Sequence, residues 1–254
     1  MSNPVFFTPA GSLNQISPGG TFVLEGPEAR HAVTVKRIAV GESVDIADGS
    51  GARLTGTVAE AGPGTLTVTA SNVVFEDQPD VRLVLVQALA KGDRDELAIE
   101  TATELGIDAV LPWQSERSIV RWKGDRALKA HAKWESVVTA AAKQARRAWI
   151  PDVRSMVDTG TLAKAVADVD LAIILHEDAK NPLRAVLEDF GASKGGAPRE
   201  VLLIVGPEGG ISPREVTRLS DAGAVTALLG HHVLRSSTAG PAAVVLASDI
   251  LGRW

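Results

Sequence analysis

The sequence contains no cysteine. That absence excludes disulfides, thiolate metal sites and cysteine nucleophiles, and it suits a reducing, cytoplasmic setting. Both common phosphate-binding signatures are missing as well. No G-x-x-x-x-G-K followed by Ser or Thr occurs, and no G-x-G-x-x-G, so a nucleotide gripped by its phosphates is disfavoured. No apolar run reaches the ~18–20 residues of a membrane span. The first residues, MSNPVFFTPAG, lack the basic flank and apolar core of a signal peptide. A soluble, intracellular protein is the expectation. Internal repeats and low-complexity tracts are also absent. What remains is an ordinary globular composition, 45% hydrophobic and 22% charged over 254 residues, enough for one large domain or two modest ones.

The net charge of −5 conceals an asymmetry. Residues 116–150 carry nine Lys/Arg against three acids, a local +6 that leaves −11 for the remainder. Arg126, Lys129, Lys133, Lys143 and Arg147 recur at three- and four-residue spacing, near one face of an expected helix. Such a face is either a solvated helix surface or the footprint of a polyanion.

Residues 1–74 alternate apolar and polar positions in short runs at 21–24, 43–47, 52–58 and 65–69, separated by turns at 48–51 and 61–64. This pattern predicts a small β-barrel with one helical insert near 28–37. The polar stretch 76–80 reads as a linker. From Val81 the rhythm becomes alternating strand and helix, which predicts an α/β domain over 81–254 with a parallel sheet. Strands are expected near 81–88, 107–112, 170–175, 201–205 and 224–229. Helices are expected near 94–105, 125–148, 161–168, 181–189, 213–222 and 238–251.

The stretch VLLIVGPEGGISPRE, residues 201–215, concentrates the chemistry. A β-branched run buried on both faces enters a glycine turn, and Ser212-Pro213-Arg214-Glu215 has the makings of a capping box with proline at the first helical position. Two other strands end in polar or glycine-bearing residues. One closes on Leu175, His176 and Glu177, the other on Leu229, Gly230 and His231. Ligands of open α/β sheets sit beyond the carboxyl ends of strands, so three such ends can enclose one pocket rich in backbone donors and acceptors.

GPEGGIS followed by LGHHVLRSSTA resembles the SPOUT superfamily of knotted RNA methyltransferases. Within it, the chain is most similar to the bacterial 16S ribosomal RNA uridine-N3 methyltransferase family, and the similarity covers nearly its whole length. Lys91-Gly-Asp-Arg, Ala102-Thr-Glu-Leu-Gly-Ile, Glu116-Arg-Ser and Gln144-Ala-Arg-Arg before Ile150-Pro stand where that family has internal motifs. Arg30-His31 through Lys36-Arg37 and Gly41 resemble its PUA-like RNA-binding barrel.

The resemblance implies a trefoil-knotted parallel sheet that binds S-adenosylmethionine. That cofactor has a carboxylate, an adenosine and a sulfonium but no phosphate, in keeping with the missing phosphate motifs. The implied cofactor residues are Leu175, His176 and Glu177, then Gly206, Pro207, Glu208, Gly209 and Gly210. Leu229, Gly230, Val233, Leu234, Arg235, Thr238 and Ala239 complete the set. Arg235 is the implied catalytic residue. A guanidinium remains protonated and is no base, but it can stabilise charge developing on a uracil ring. Helix-entry pairing or a phosphate clamp is its other reading.

Glu208 is read as a carboxylate stabilised near a helix N-terminus, and His232 as a bystander. The expected RNA contacts are Arg30, His31, Lys36 and Arg37 in the barrel, with Arg117, Arg126, Lys129, Lys133 and Arg147 beyond it. His31 is a stacking candidate rather than a metal ligand, and no metal is expected. Two positions depart from the family pattern: Ser237 stands where glutamate is common, and Lys143 where an acid precedes the family's glutamine. A homodimer acting on 16S ribosomal RNA within the small subunit is implied, with the apolar segment Ala242–Leu251 consistent with dimerisation. The alternatives are a SPOUT enzyme with another RNA target and a ribosome-assembly factor that binds RNA without catalysis.

Overall fold

The computed structural model describes residues 3–193, 196 and 198–254. They form two compact units, Met1–Gln78 with Ala142–Ile150, and Pro79–Ala141 with Pro151–Trp254.

The first unit is a five-stranded sheet of β1 (Val5–Phe7), β2 (Thr21–Glu25), β3 (Ser43–Ala47), β4 (Ala52–Gly62) and β5 (Thr65–Phe75), in the order β1-β3-β4-β5-β2. β1 runs parallel to β3, and every other pair is antiparallel. Alternation does what it predicts: Phe22 and Leu24 of β2 and Leu66 and Val68 of β5 turn inward to join Phe6, Ile46 and Leu54. Register shifts at Thr55/Gly56 and Val58/Glu60 bend the long β4–β5 hairpin around that core. The helical insert is α1 (Gly26–Arg30) continued by a π-helical turn (His31–Val35), so it begins and ends two residues earlier than expected.

The segment 142–150 is the main departure from the expected organisation. The anticipated helix 125–148 stops sooner, as α3 (Asp125–Gln144), because Arg146 adopts a left-handed φ of 58°. The chain then joins the first sheet. Ile150 donates its amide to Gly49 at 3.0 Å, Gly51 donates to Ala148 at 3.3 Å, and the Trp149 indole donates to the Glu76 carbonyl at 2.7 Å. Only glycine fits at Gly51, whose φ is 105° and whose Cβ would lie 2.6 Å from the Trp149 ring. Lys143 also belongs here. Its ammonium reaches both Glu28 oxygens, at 2.7 and 2.9 Å, and lies 5.1 Å from the Phe6 ring centre. The basic residue in the family's acidic position therefore pairs within the protein.

The second unit is built on a parallel sheet of β6 (Val81–Ala88), β7 (Ala109–Gln114), β8 (Asp152–Val153), β9 (Val157–Asp158), β10 (Leu171–Leu175), β11 (Arg199–Val205) and β12 (Val225–Ala227). The order is β12-β10-β11-β6-β7-β8, with β9 also on β7. Its helices are α2 (Arg94–Glu104), α3, α4 (Thr159–Ala167), α5 (Leu183–Ala192), α6 (Pro213–Asp221) and α7 (Ser236–Ile250). Val84, Val86, Leu202, Ile204, Ile174 and Trp113 fill one face with Leu162 of α4 and Leu219 of α6. α7 lies on the other face, packed on α2, α5, β6 and β11. Its small residues permit this: a Cβ on Gly240 would fall 2.8 Å from Leu85. The permuted strand order, with the last helix laid over β6 and β11, is the arrangement expected of the knotted fold.

Candidate active site

β10, β11 and β12 are neighbours in the sheet, with Leu175 opposite Ala227 and Ile174 opposite Ile204. Their carboxyl ends therefore bring together the three segments that the sequence singles out. At the end of β10, the His176 amide donates to the Ala227 carbonyl at 3.1 Å. The Asp178 amide donates to His176 Nδ1 at 3.2 Å, which places the imidazole proton on Nε2 when the ring is neutral. Leu228 is tied to the start of α5, donating to the Asn181 carbonyl and accepting from the Leu183 amide, each at 2.8 Å.

The turn after β11 closes with a hydrogen bond from the Gly210 amide to the Pro207 carbonyl at 2.9 Å, and Gly210 takes a φ of 71°. α6 then starts as expected. Ser212 accepts the Glu215 amide and Glu215 accepts the Ser212 amide, both at 3.2 Å, with Pro213 at the helix entry. Glu215 is buried and does more than cap. Its Oε1 also accepts the Glu116 amide at 2.8 Å and the Thr159 hydroxyl at 2.7 Å, which anchors the 115–118 loop to the glycine turn. Arg117 adds a bond to the Gly209 carbonyl at 2.9 Å. Glu208 finds its partner at the start of α2 rather than of α6. Its carboxylate pairs with Arg94 at 3.0 Å, because Ser212 and Glu215 already occupy the start of α6.

Arg235 occupies the N-cap of α7 in extended conformation, and its carbonyl accepts the Thr238 and Ala239 amides at 2.9 and 3.0 Å. Its side chain is exposed and makes no hydrogen bond or ion pair among the described residues. The helix-entry salt bridge is thus not formed. The loop before it keeps Val233 77% exposed and Leu234 39% exposed, apolar surface suited to covering a ligand. Ser237, the departure from the family's glutamate, is buried in the first turn of α7.

The expected RNA-contacting cations divide sharply. Arg30, Lys36 and Arg37 are exposed on the first unit, whereas His31 is half-buried and edge-on to Phe6 at 6.3 Å. Arg126 and Lys129 project from α3, opposite in character to the buried Trp134, Val138 and Ala141. Lys133 is already neutralised. It lies 2.6 Å from Glu96 and 3.7 Å from Asp93, and the Glu96 hydrogen bond raises its pKa above the ordinary lysine value. Arg147 leaves the shared face altogether, because α3 ends before it.

A cleft of about 370 Å³ opens beside the carboxyl ends of β7 and β9, lined by Gln114, Glu116, Arg121, Asp158, Thr159, Gly160 and Arg218. None of the expected cofactor residues lines it. Arg218 interacts with the Asp158 carboxylate, and Arg121 donates to the Ser115 and Glu116 backbone carbonyls. No cluster of three or more metal-ligating side chains occurs among the described residues, and no helix is long and apolar enough to cross a membrane. Sequence reasoning missed the Glu215 contacts, which join residues far apart in the chain. Gln87 is the lone uncharged polar residue of the buried run VRLVLVQAL.

A family model described as an RNA methyltransferase domain matches residues 77–248, and one described as an RNA methyltransferase PUA domain matches residues 24–71. Ribosomal RNA small subunit methyltransferase E of Mycobacterium bovis is 41% identical over 242 residues, covering 93% of this chain and 89% of that protein. The protein of the same name from Bacillus subtilis is 28% identical, covering 89% and 88%. Among solved structures, ribosomal RNA small subunit methyltransferase E of Neisseria gonorrhoeae bound to S-adenosylmethionine superimposes with a TM-score of 0.80 at 25% identity, covering 98% of each chain. A Legionella pneumophila methyltransferase with bound S-adenosylmethionine gives 0.81 at 25% identity and the same coverage. With two domain models side by side and a relative this similar over nearly its whole length, the chain belongs to the RNA methyltransferase family that includes the ribosomal RNA small subunit methyltransferase E proteins.

Proposed function

We propose that this protein is an S-adenosylmethionine-dependent methyltransferase that modifies N3 of a uridine in 16S ribosomal RNA. The observation that carries the reading is the convergence of three polar strand ends, on adjacent parallel strands, with an unpaired arginine at the start of α7. The residues fit the cofactor. The turn at 206–210, the end of β10 and the loop at 229–234 offer backbone amides and carbonyls rather than a phosphate cradle, and Val233 and Leu234 offer apolar cover. Leu175–Glu177, Gly206–Gly210, Leu229, Gly230, Val233–Arg235, Thr238 and Ala239 would hold it. When bound, S-adenosylmethionine supplies an electrophilic methyl group.

The protein's own part is orientation and electrostatics. Uridine N3 must lose its proton and meet the methyl carbon in line, and holding the two in register accounts for up to roughly 7–11 kcal/mol of barrier reduction. Arg235 is free to point its donors at the uracil oxygens as charge builds there. The glycine turn is kept in place by Arg117 and, through the Glu116 amide, by Glu215. RNA is gripped by exposed cations, Arg30, Lys36 and Arg37 on the PUA unit and Arg126 and Lys129 on α3.

The setting is the bacterial cytoplasm, the target the small subunit, and the assembly a homodimer. The apolar character of α7 does not support that assembly, since Ala243, Val244 and Ala247 are buried in their own unit. The test is to map modified nucleotides in 16S ribosomal RNA from cells with and without this gene, and to restore the mark with purified protein and S-adenosylmethionine. Loss and recovery of one N3-methyluridine is expected. Methylation elsewhere would favour another RNA target, and cofactor binding without turnover would favour an assembly factor.

A further inference from the structure

Five buried polar side-chain atoms have no hydrogen-bond partner among the described residues: Arg82 Nε, Gln87 Oε1, Ser236 Oγ, Ser248 Oγ and Arg253 Nε. Such groups are costly unless something pairs with them. The two arginine nitrogens belong to guanidinium groups bonded elsewhere through their other nitrogens. Ser248 lies near the far end of α7, whereas Gln87 and Ser236, the first residue of that helix, both lie toward the carboxyl edge of the sheet.

Gln87 lies one residue from the carboxyl end of β6, fully buried, in register with Val205, the residue before the glycine turn. Its amide nitrogen donates to the Ala88 carbonyl at 3.3 Å, which leaves Oε1 directed at α7. Oε1 lies 3.6 Å from where a Cβ of Gly240 would be. Ser236 stands four residues before Gly240 and so on the same face of α7, one turn away. The helix runs antiparallel to β6, since the segment just past its end hydrogen-bonds the Val81 carbonyl through Arg253. That turn therefore carries Ser236 beyond Gln87, toward the carboxyl edge of the sheet.

An acceptor, a hydroxyl and the positive end of a helix thus lie at the carboxyl edge of the sheet, on the α7 side of the strand that leads into the glycine turn. We propose that Gln87 and Ser236 form an interior polar wall of the cofactor pocket, Gln87 Oε1 accepting from an N–H of S-adenosylmethionine and the Ser236 hydroxyl binding an adjacent acceptor. This rests on the reading above that the strand-end loops hold that cofactor. A donor next to an acceptor occurs on S-adenosylmethionine at the amino-acid end, as ammonium and carboxylate, and at the adenine edge.

The experiment measures calorimetric binding of S-adenosylhomocysteine and of methylthioadenosine, which lacks the amino-acid end, to wild type, Gln87→Leu and Ser236→Ala. Gln87→Leu preserves size in an apolar strand, so its unfolding midpoint should match or exceed wild type. Its affinity for S-adenosylhomocysteine should fall roughly tenfold or more, the loss expected for a buried hydrogen bond. Equal weakening of both ligands places the contact on adenine, and weakening of S-adenosylhomocysteine alone places it on the amino-acid end. Ser236→Ala, the smaller change, should weaken the same ligand or ligands and serves if Gln87→Leu does not fold. Unchanged affinity in the folded variants overturns the proposal. Failure of the wild type to bind either ligand would instead overturn the cofactor reading beneath it.

Discussion

The two ends of the parallel sheet are built on opposite plans. At the amino end nearly every charge is matched. Arg253, about a tenth exposed, bonds Asp108, the Gly106 carbonyl and the Val81 carbonyl, while Asp108 also accepts the Leu83 amide at 2.7 Å. Arg154 and Glu200 form a two-pronged pair, which raises the arginine pKa further, and Asp170 accepts the Glu200 amide at 2.8 Å. At the carboxyl end, among the described residues, the Arg235 side chain is unpaired and Gln87 Oε1 and Ser236 Oγ lack partners. The amino end pairs its charges, with Arg82 Nε and Arg253 Nε the buried atoms left without a partner there among the described residues, and the carboxyl end leaves a whole guanidinium free. That difference separates residues that keep the sheet together from residues available to a substrate.

Breaking the paired end should produce the largest change. Asp108→Ala strands a nearly buried guanidinium, which costs about 3–5 kcal/mol. The urea midpoint should fall steeply while turnover per folded molecule holds. A mild loss would mean the network is ornamental. At the carboxyl end the effects should reverse. Arg235→Ala should leave the urea midpoint within error and lower turnover by ~10²–10³-fold with little change in cofactor affinity. Parallel loss of affinity would confine Arg235 to its cofactor contact and remove it from the chemistry on the uracil.

The same contrast applies on α3. Replacing Arg126 and Lys129 by Ala should weaken RNA binding and flatten its salt dependence, by roughly 0.7–0.9 in log-log slope per lost phosphate contact. Lys133→Ala should change neither, because Glu96 and Asp93 already hold that charge. If all three behave alike in filter binding at two salt concentrations, pairing is not what selects the RNA face.

The smallest effect concerns Asp95, buried at the start of α2. Burial raises its pKa, against hydrogen bonds from the Ala90 and Glu96 amides that lower it. A raised folded pKa means that stability is intact below the unfolded value, near ~4, and declines as pH rises through the folded value. Asp95→Asn should therefore match wild type in acid and gain on it toward neutral pH. A gain that appears only in acid would contradict the sign.

How much of this was legible depended on sequence distance. β6 and β11 read correctly because strands covered on both faces are continuous apolar runs, and the start of α6 read correctly because a capping box is local. The end of α3 did not, since what stops it is a set of bonds to Gly49, Gly51 and Glu76. Lys133 looked free because its partners lie on α2. That the three polar strand ends lie on adjacent strands agrees with the grouping made from their residues, but the closure of Glu208 by Arg94 and the bracing by Glu215 could not be read there.

The strand order also has a consequence for synthesis. β11 is central, between β10 and β6, yet it is among the last strands to be made, and its Val201 must align with Leu83. While the chain is still emerging, β6 and β10 are both complete and neither has its shared neighbour. Each then presents an apolar, unpaired edge, the kind of template that recruits other strands. A ribosome stalled before Val205 would leave a chain with one sticky half-sheet, β6-β7-β8, and a β10 with no sheet partner at all, because β12 also comes later, and chaperone demand should peak in that window.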